Sequence, residues 1–479
     1  MNSKIKATLR KFLSIALAAL ILAGCAGAAF ADGSDASGTV NGVDWVYTSA
    51  DKTLVLSGSG TLGEDVADFG LFGGSWVAEH VKIGADVNIT TGRVFENFDF
   101  VDEYEVDANN KYLCNPDGVL MDKDKTVLIK YPAGSKEFSF YTVPDTVKTI
   151  SYRAFEFSSA LKTIFLNDGL ETIENFAFDN CGNLLYITIP GTVTSMGKGV
   201  LAQCNLLNKV TIEEGVTAIP EDAFDRCRSL ETVNLPDSLT TIGDIAFFGC
   251  TKLKTLKLPK NLQTFTDSPG RNFGGLNIAL TVDPENQYFC TDDLGVLYNK
   301  DKTLLYFCPN LPYTFDYTVR CNLNEYAFSG CENLRNVDID YNLRAIPKNA
   351  FYNCKNLNTV TLPATLQRID GAAFNASLKT VNYRGTEELW KLITIDSFSN
   401  DAIKSATVVY NYGEPEEPDE ITLSYDQASN TLTIAGSGVL TLNDIKKWNY
   451  TNLNTSGLKV KIGKNVNITD AKVFCDTLW

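Results

Sequence analysis

The sequence predicts a β-rich solenoid, in which short coils of 23 residues stack on one another along the chain. Three observations predict it: an apolar motif recurs every 23 residues, alternating apolar and polar residues follow each motif, and a proline often closes that stretch. Alternation places one side of a strand in a core, and a proline ends strand pairing. One coil cannot bury its apolar side alone, so neighbours must stack about 4.8 Å apart.

The recurring motif is an Ala-Phe pair with fixed companions. In most coils, isoleucine or methionine stands five residues before the phenylalanine, cysteine stands three residues after it, and leucine stands six after it. The phenylalanine position is filled by Phe155, Phe178, Leu201, Phe224, Phe247, Phe328, Phe351 and Phe374. After each leucine the chain alternates, as in 230–235, which Pro236 closes. Each coil therefore has one strand, a turn and an apolar return leg.

This pattern resembles the BspA-like type of leucine-rich repeat, found in surface proteins of bacteria and of some protozoa. The resemblance covers roughly residues 81–383. It implies a leucine-rich-repeat solenoid that is right-handed and β-rich, within the α/β horseshoe class. It also implies exposure at the cell surface and adhesion to host or neighbouring cells, whereas the periodicity itself predicts only the architecture.

Interruptions of the repeat divide the chain. The strand-like stretches 45–47 and 54–56 flank a polar turn and predict a β-hairpin N-terminal cap, and Thr386 before two acids predicts a short helical C-terminal cap. The predicted divisions are a signal peptide (1–24), the N-terminal β cap and first coil (36–106), a hairpin segment (107–142), leucine-rich repeats (143–265), an irregular coil with a second hairpin segment (266–313), leucine-rich repeats (314–383), the C-terminal cap (384–410), an acidic linker (411–420) and an incomplete copy of the N-terminal module (421–479).

That last copy stops at Trp479, five residues after the phenylalanine position at Phe474. A half-coil has nothing to stack on. The sequence therefore favours a longer array over the alternative, a module that docks elsewhere.

The first residues predict export. A basic start is followed by an apolar run from Phe12 to Ala23, which is too short to span a bilayer comfortably. The stretch 22–25 resembles a bacterial lipobox and implies lipidation of Cys25, and we favour it over the rival cleavage site at 29–31, which would release a soluble protein. A net charge of -16 disfavours binding to nucleic acid or anionic membranes, so we expect membrane contact only through a lipid anchor.

Twelve cysteines in an exported chain suggest disulfides, but six of them occupy one fixed position of the repeat. That position favours a small, apolar, interior residue, so we expect these six to be unpaired. A bridge between Cys308 and Cys321, which lie outside the repeat position, stays open. Metal-ligand spacing of cysteine with histidine is missing, and we expect no metal and no cofactor.

Catalysis is not expected from these residues. His80 is the single histidine, so any nucleophile-histidine site must use it, and it stands where a solvated strand begins. A carboxylate-dependent hydrolase is the alternative, because Asp and Glu are plentiful. No carboxylate column is directed into the coils, so we predict that the chain is not an enzyme.

Binding is the function that the outward strand positions favour. Most of these positions hold Thr or Asn, but Phe165, Leu185 and Tyr186 place apolar surface together near Lys209. Exposed apolar clusters with aromatic residues mark interfaces. These four residues are therefore the candidate contact surface for a protein or cell-surface ligand. The alternatives are that the preceding hairpin segment covers them, and that the chain is a structural cell-envelope protein without a specific host ligand.

Overall fold

The computed structural model describes residues 35–67, 78–96, 98, 100–136, 138–375, 378–413, 422–435, 438–440, 458–463 and 466–467. The chain divides into two compact units, Met1–Tyr410 and Asn411–Trp479. The predicted signal peptide with Cys25, most of the predicted acidic linker, and the terminal stretch from Phe474 to Trp479 lie outside the described residues.

The first unit begins with antiparallel strands that lead into parallel stacking. Ala36–Val40, Val43–Thr48 and Thr53–Leu62 pair antiparallel in that order. The long third strand then pairs in parallel with His80–Ile83 and Asp86–Ile89, and Glu103–Val106 joins His80–Ile83. The connecting helices are an α-helix at Glu64–Ala67 and a 3-10 helix at Gly92–Phe95.

The strands that follow each leucine form parallel sheets on one side of the solenoid, here called the front sheets. Their register advances by one coil, as in the pairing of Tyr186 with Lys209 and of Lys209 with Thr232. The first front sheet consists of Phe140–Thr142, Thr163–Phe165, Tyr186–Ile189, Lys209–Ile212 and Thr232–Asn234; a pair follows with Thr255–Leu258 and Ala279–Val282; the second front sheet consists of Phe315–Val319, Leu334–Ile339, Thr359–Leu362, Thr380–Tyr383 and Thr407–Val409.

Two-residue strands ending at the isoleucine position form back sheets. The first contains Thr149–Ile150, Thr172–Ile173 and Ser195–Met196, the second Ala218–Ile219, Thr241–Ile242 and Thr264–Phe265, and the third Ala345–Ile346, Arg368–Ile369 and Thr394–Ile395. The second and third sheets each begin with a strand followed by a proline, Pro220 or Pro347. Proline has no N–H to donate to the preceding coil, so the ladder breaks at these two places.

Two antiparallel hairpins lie between the coils. The first contains Leu113–Cys114, Leu120–Asp122 and Val127–Lys130, and the second contains Phe289–Thr291, Leu297–Asn299 and Leu304–Phe307. The last strand of each pairs in parallel with a back strand, Thr149–Ile150 or Asn322–Leu323. The turn carboxylate of Asp122 accepts hydrogen bonds from the backbone N–H groups of Thr126 and Val127 at 2.6 and 2.7 Å. A 3-10 turn occupies Pro116–Gly118.

Short helices follow strands in two coils: Pro269–Phe273 lies in one, and Glu387–Lys391 and Asp401–Ser405 lie in the other. The hydroxyl of Thr386 accepts a hydrogen bond from the backbone N–H of Leu389 at 3.3 Å. The ring of Trp390 packs edge-on against Tyr383, with centroids 5.2 Å apart. The helix at Glu387–Lys391 therefore contacts the fourth strand of the second front sheet.

In the second unit, Thr422–Asp426 and Thr431–Ala435 pair antiparallel, and Lys459–Ile462 then pairs in parallel with Thr431–Ala435. Gly438–Val439 pairs in parallel with Val466–Asn467. The order of pairing repeats that of the first strands of the chain.

The return leg of each coil carries its own ladder of hydrogen bonds. The N–H groups of Arg153, Phe155 and Phe157 donate to carbonyl oxygens of the next coil at 3.1, 2.7 and 3.1 Å. Arg153 and Phe157 both have positive φ, and the equivalent residues of the next coil, Phe176 and Asn180, do as well. Two left-handed residues thus bend each coil tightly around its Ala-Phe pair. The phenylalanine rings stack in a column, with centroids 5.2 Å apart for Phe155 and Phe178.

The repeat cysteines satisfy buried backbone carbonyls. The thiol of Cys204 donates to the carbonyl oxygen of Phe178 in the preceding coil at 3.1 Å, and Cys181, Cys227 and Cys250 make the equivalent bond. All of these are free thiols, and Cys308 and Cys321 are also free and buried. Burial raises the pKa of the Cys250 thiol well above its usual range, so it stays protonated and able to donate.

Ser158 occupies the cysteine position of the first coil and provides a test of this role. Its side chain is 1% exposed, and its hydroxyl has no hydrogen-bond partner. The C–O bond is shorter than a C–S bond, and an unsatisfied buried polar group costs about 1–3 kcal/mol. We expect Ser158→Cys to raise the free energy of unfolding by about 1 kcal/mol, and Cys204→Ser to lower it by about 1–3 kcal/mol. Urea unfolding followed by circular dichroism measures both free energies of unfolding. If the two changes shift the free energy in the same direction, the proposed role of the thiol is wrong.

Candidate binding surface on the first front sheet

The structure brings the four predicted site residues together. Tyr186 and Lys209 are register partners on neighbouring strands, Leu185 directly precedes Tyr186, and Phe165 ends the strand on the other side. All four are exposed: Phe165 and Tyr186 keep 48% and 49% of their surface open to solvent, and Leu185 keeps 38%. The described part of the preceding hairpin segment therefore leaves about half of both aromatic side chains accessible.

Two further aromatic residues, which were not predicted from the sequence, extend this surface. Phe140 pairs in register with Thr163, which pairs in turn with Tyr186, so Phe140 and Tyr186 flank Thr163. Phe140 is 57% exposed and Phe138 is exposed as well, whereas Thr163 is buried between its neighbours. The spacing of 23 residues between Phe140 and Thr163 is the signal that identifies Phe140. We call Phe138, Phe140, Phe165, Leu185 and Tyr186 the aromatic patch.

The edge of the aromatic patch carries positive charge. Lys162 directly precedes the strand of Phe165, Lys209 begins the strand next to Tyr186, and both are exposed without an ion pair to a described carboxylate. The strand positions beyond the patch hold Thr188, Thr232 and Asn234, which are exposed and polar. The arrangement is an apolar surface bordered by two available cations, on a chain of net charge -16.

Buried charges lie elsewhere, on the return leg of the first coils. Glu156 is 2% exposed and accepts a hydrogen bond from the guanidinium of Arg153 at 2.6 Å, while Lys130 donates to the Arg153 carbonyl at 2.7 Å. Burial raises the pKa of Glu156 to about 7 and that of Asp179, in the next coil, to about 6. Because both carboxyl groups are buried, the structure gives a substrate no access to them.

His80 stands at the first residue of the strand His80–Ile83, as the sequence analysis expected, and is partly exposed. Its Nδ1 lies 3.4 Å from a carboxylate oxygen of Glu103 on the neighbouring strand. Among the described residues, no group of three or more His, Cys, Asp or Glu side chains is arranged to hold a metal ion. Within the same residues, no helix is long and apolar enough to cross a membrane.

The repeated coils, with a front strand, a cysteine ladder and an Ala-Phe return leg, define a leucine-rich-repeat protein. The family model described as "BspA type Leucine rich repeat region" matches in six copies, over residues 133–254, 217–269 and 306–413, which is just over half of the chain. The chain belongs to this family, and the resemblance seen in the sequence is confirmed. A search of curated proteins found no significant match.

Several solved structures are similar to this chain. A leucine rich cell surface protein from Faecalibacterium prausnitzii is 19% identical, with a TM-score of 0.45, over 75% of this chain and 98% of that one. A leucine-rich repeat protein from Eubacterium ventriosum is 22% identical, with a TM-score of 0.36, over 50% and 95%. The pneumococcal vaccine antigen PcpA is 17% identical, with a TM-score of 0.39, over 80% and 99%.

The buried carboxyl groups predict a distinct dependence of stability on pH. The folded-state pKa values of Glu156 and Asp179 are raised above their ordinary values of 4.5 and 3.8, so folding favours the neutral forms. The resulting stabilisation is complete below about pH 4 and is lost as the pH rises through about 6 and 7. We expect the double variant Glu156→Gln, Asp179→Asn to remove roughly 1–3 kcal/mol of the stability difference between pH 5 and pH 8.

Thermal unfolding of both proteins across pH 4–8 measures this difference. Glu231→Gln, at an exposed position, is the control and should follow the unmodified chain. If the double variant shows the same pH dependence of unfolding as the unmodified chain, the two carboxyl groups titrate at ordinary pH values in the folded protein.

Proposed function

We propose that this chain is an exported, cell-surface protein-binding module that acts in adhesion, with the aromatic patch and Lys209 as its contact surface. The observation that carries the proposal is the half-exposed aromatic patch on a regular parallel sheet. Aromatic side chains dominate binding energies when a partner removes them from water. A sheet fixed by stacked coils holds these side chains in place before the partner arrives, which reduces the entropy lost on binding.

The charges around the patch specify the kind of partner. Lys162 and Lys209 are available for ion pairs at its edge, while the rest of the chain is strongly acidic. A complementary partner is a folded protein surface with an apolar cluster bordered by carboxylates. Attraction between such carboxylates and the two lysines also orients an approach that the overall charge would oppose.

The double variant Phe165→Ser, Tyr186→Ser tests the patch. It removes the two central aromatic side chains, and we expect binding to purified extracellular-matrix proteins or to whole host or bacterial cells to weaken at least tenfold, about 1.4 kcal/mol or more. The matched control is Phe248→Ser, Tyr352→Ser, which changes two other exposed aromatic residues, each 43% exposed. Affinity is measured by surface plasmon resonance and by cell-binding assays, and thermal unfolding of each variant reports its folding.

Equal loss of affinity in both double variants would refute the aromatic patch as the contact surface. So would reduced stability of the Phe165, Tyr186 variant with unchanged affinity, because the two residues would then serve the fold alone. A photo-crosslinking residue at position 186 should also capture the bound partner, whereas the same residue at position 352 should not.

Export and anchoring are part of the proposal. We infer a signal peptide at 1–24 and lipidation of Cys25, which would hold the solenoid at the membrane surface. Within the solenoid, we infer the right-handed horseshoe form. The hairpin of Ala36–Val40 and Val43–Thr48 and the helix Glu387–Lys391 are placed in sequence where end caps would cover the coils.

Mass spectrometry of the processed chain tests the anchor. We expect a mature N-terminus at Cys25 with the added mass of lipid, and Cys25→Ser should release the protein from the membrane fraction into the medium. The rival site predicts a chain that begins at Asp32 without lipid. Finding that N-terminus would replace the lipid anchor by soluble release.

A further inference from the structure

In the coil that contains Phe328, the turn between the front strand and the back strand is short. Three residues separate Val319, at the end of its front strand, from Leu323 at the isoleucine position. In the next coil, six residues separate the register partner of Val319, Ile339, from Ile346. The longer turn of the next coil therefore projects past the shorter one, and the edge of the solenoid has a step at this place.

A cavity of about 530 Å³ lies at this step. Its lining includes Asn322 and Leu323 directly after the short turn, Tyr341, Asn342 and Arg344 on the long turn, and Arg368 from the coil beyond. This volume is within the range of roughly 300–1,000 Å³ that is typical of small-molecule sites. The back sheet is also interrupted here, because Pro347 removes the N–H that would bond the preceding coil.

The lining includes two arginines and three other polar side chains, beside the apolar side chains of Leu323, Leu343, Ala345 and Pro347. Arg344 is exposed and makes no ion pair with a described carboxylate, whereas Arg368 pairs with Asp370 at 3.1 Å. Tyr341 is exposed beside them, and the amides of Asn322 and Asn342 offer both donors and acceptors. On a chain of net charge -16, an unpaired guanidinium in a cavity is a local site for an anion.

We propose that this cavity binds an acidic sugar, that is, a saccharide unit that carries a carboxylate. The planar guanidinium of Arg344 matches a carboxylate with two parallel hydrogen bonds. The asparagine amides bind ring hydroxyls, and the Tyr341 ring covers the C–H face of a sugar ring. An extended acidic peptide is disfavoured, because strand addition needs backbone donors at the sheet edge and Pro347 has none. This site is separate from the aromatic patch, and it does not depend on the proposed protein partner.

A second cavity, of about 370 Å³, includes Arg320 of the same short turn in its lining. It is lined by Asp292, Tyr298, Lys302, Tyr317 and Arg320. The hydroxyls of Tyr298 and Tyr317 are hydrogen-bonded to each other, and Tyr298 donates to Asp292 at 3.2 Å. Lys302 makes no ion pair with a described carboxylate and lies 5.7 Å from the Tyr298 ring centroid. The carboxylate of Asp292 and the cations of Lys302 and Arg320 give this second cavity a mixed charge, so the proposal concerns the first cavity alone.

Titration of the full chain with defined oligosaccharides tests this proposal. The probes are a hyaluronan tetrasaccharide, which carries glucuronate carboxylates, and tetra-N-acetylchitotetraose, a neutral oligosaccharide of the same length. Isothermal titration calorimetry should show binding of the acidic probe that weakens with added salt, and at least tenfold weaker binding of the neutral probe. Absence of binding by the hyaluronan tetrasaccharide, or equal binding of both probes, overturns the proposal.

Substitutions at the step assign the site. We expect Arg344→Ala to weaken binding of the acidic probe at least tenfold, Arg344→Lys to restore part of it, and Tyr341→Ala to weaken it several-fold. The matched control is Arg228→Ala, an exposed arginine in another coil, which should bind as the unmodified chain does. All of these positions are exposed, so thermal unfolding should be unchanged.

Unchanged binding in a folded Arg344→Ala protein refutes the site, and so does an equal loss in Arg228→Ala. A peptide of alternating Asp and Gly is the last arm of the test. If it binds as tightly as the hyaluronan tetrasaccharide and displaces it, the site recognises carboxylates on a peptide, and the sugar proposal is wrong. Failure here leaves binding at the aromatic patch unaffected, because the Phe165 and Tyr186 variants test that surface separately.

Discussion

Hydrogen bonding between successive return legs is the interaction on which the other features of the solenoid depend. The bonds from Arg153, Phe155 and Phe157 to the next coil recur along the repeat, and they satisfy backbone groups that a buried leg would otherwise leave unpaired. Two left-handed residues accompany these bonds in each coil, and they flank the Ala-Phe pair or, in one coil, Val200-Leu201. One coil alone cannot form these bonds.

Because successive coils are bonded to one another, the loss of one backbone donor removes a hydrogen bond between two coils. Pro220 and Pro347 each interrupt the back ladder, yet the return-leg bonds continue on both sides of these breaks. The first front sheet also continues past Pro220, although the column of phenylalanine rings is interrupted there by Leu201. Since three separate ladders connect the coils, the loss of one leaves a local gap in the surface without breaking the stack.

The periodic part of this structure could be predicted from the sequence because each residue of the motif occupies the same structural position in every coil. The 23-residue spacing is sufficient to pair Tyr186 with Lys209 and to place Phe155 under Phe178. Phe140 was missed because it follows the hairpin directly and lacks the companions of the motif. The burial of Glu156 was missed because its position in a later coil is held by exposed Phe248, so the position itself does not specify burial. The cavity beside Arg344 depends on the register of Val319 with Ile339, which the sequence spacing alone does not reveal.

The two candidate binding sites have a common physical origin in the hairpins. Each hairpin ends in a strand that joins the back ladder, Val127–Lys130 or Leu304–Phe307, and a new front sheet starts with the next strand, Phe140–Thr142 or Phe315–Val319. The first coil after a hairpin has no equivalent coil before it on the front side, so its outward residues and its turn length are not fixed by stacking from both directions. Phe138 and Phe140 occupy that coil after the first hairpin, and the shortened turn of 320–322 occupies it after the second. A regular solenoid offers the same surface at each step, and these interruptions are where this chain has surfaces that differ from the repeat.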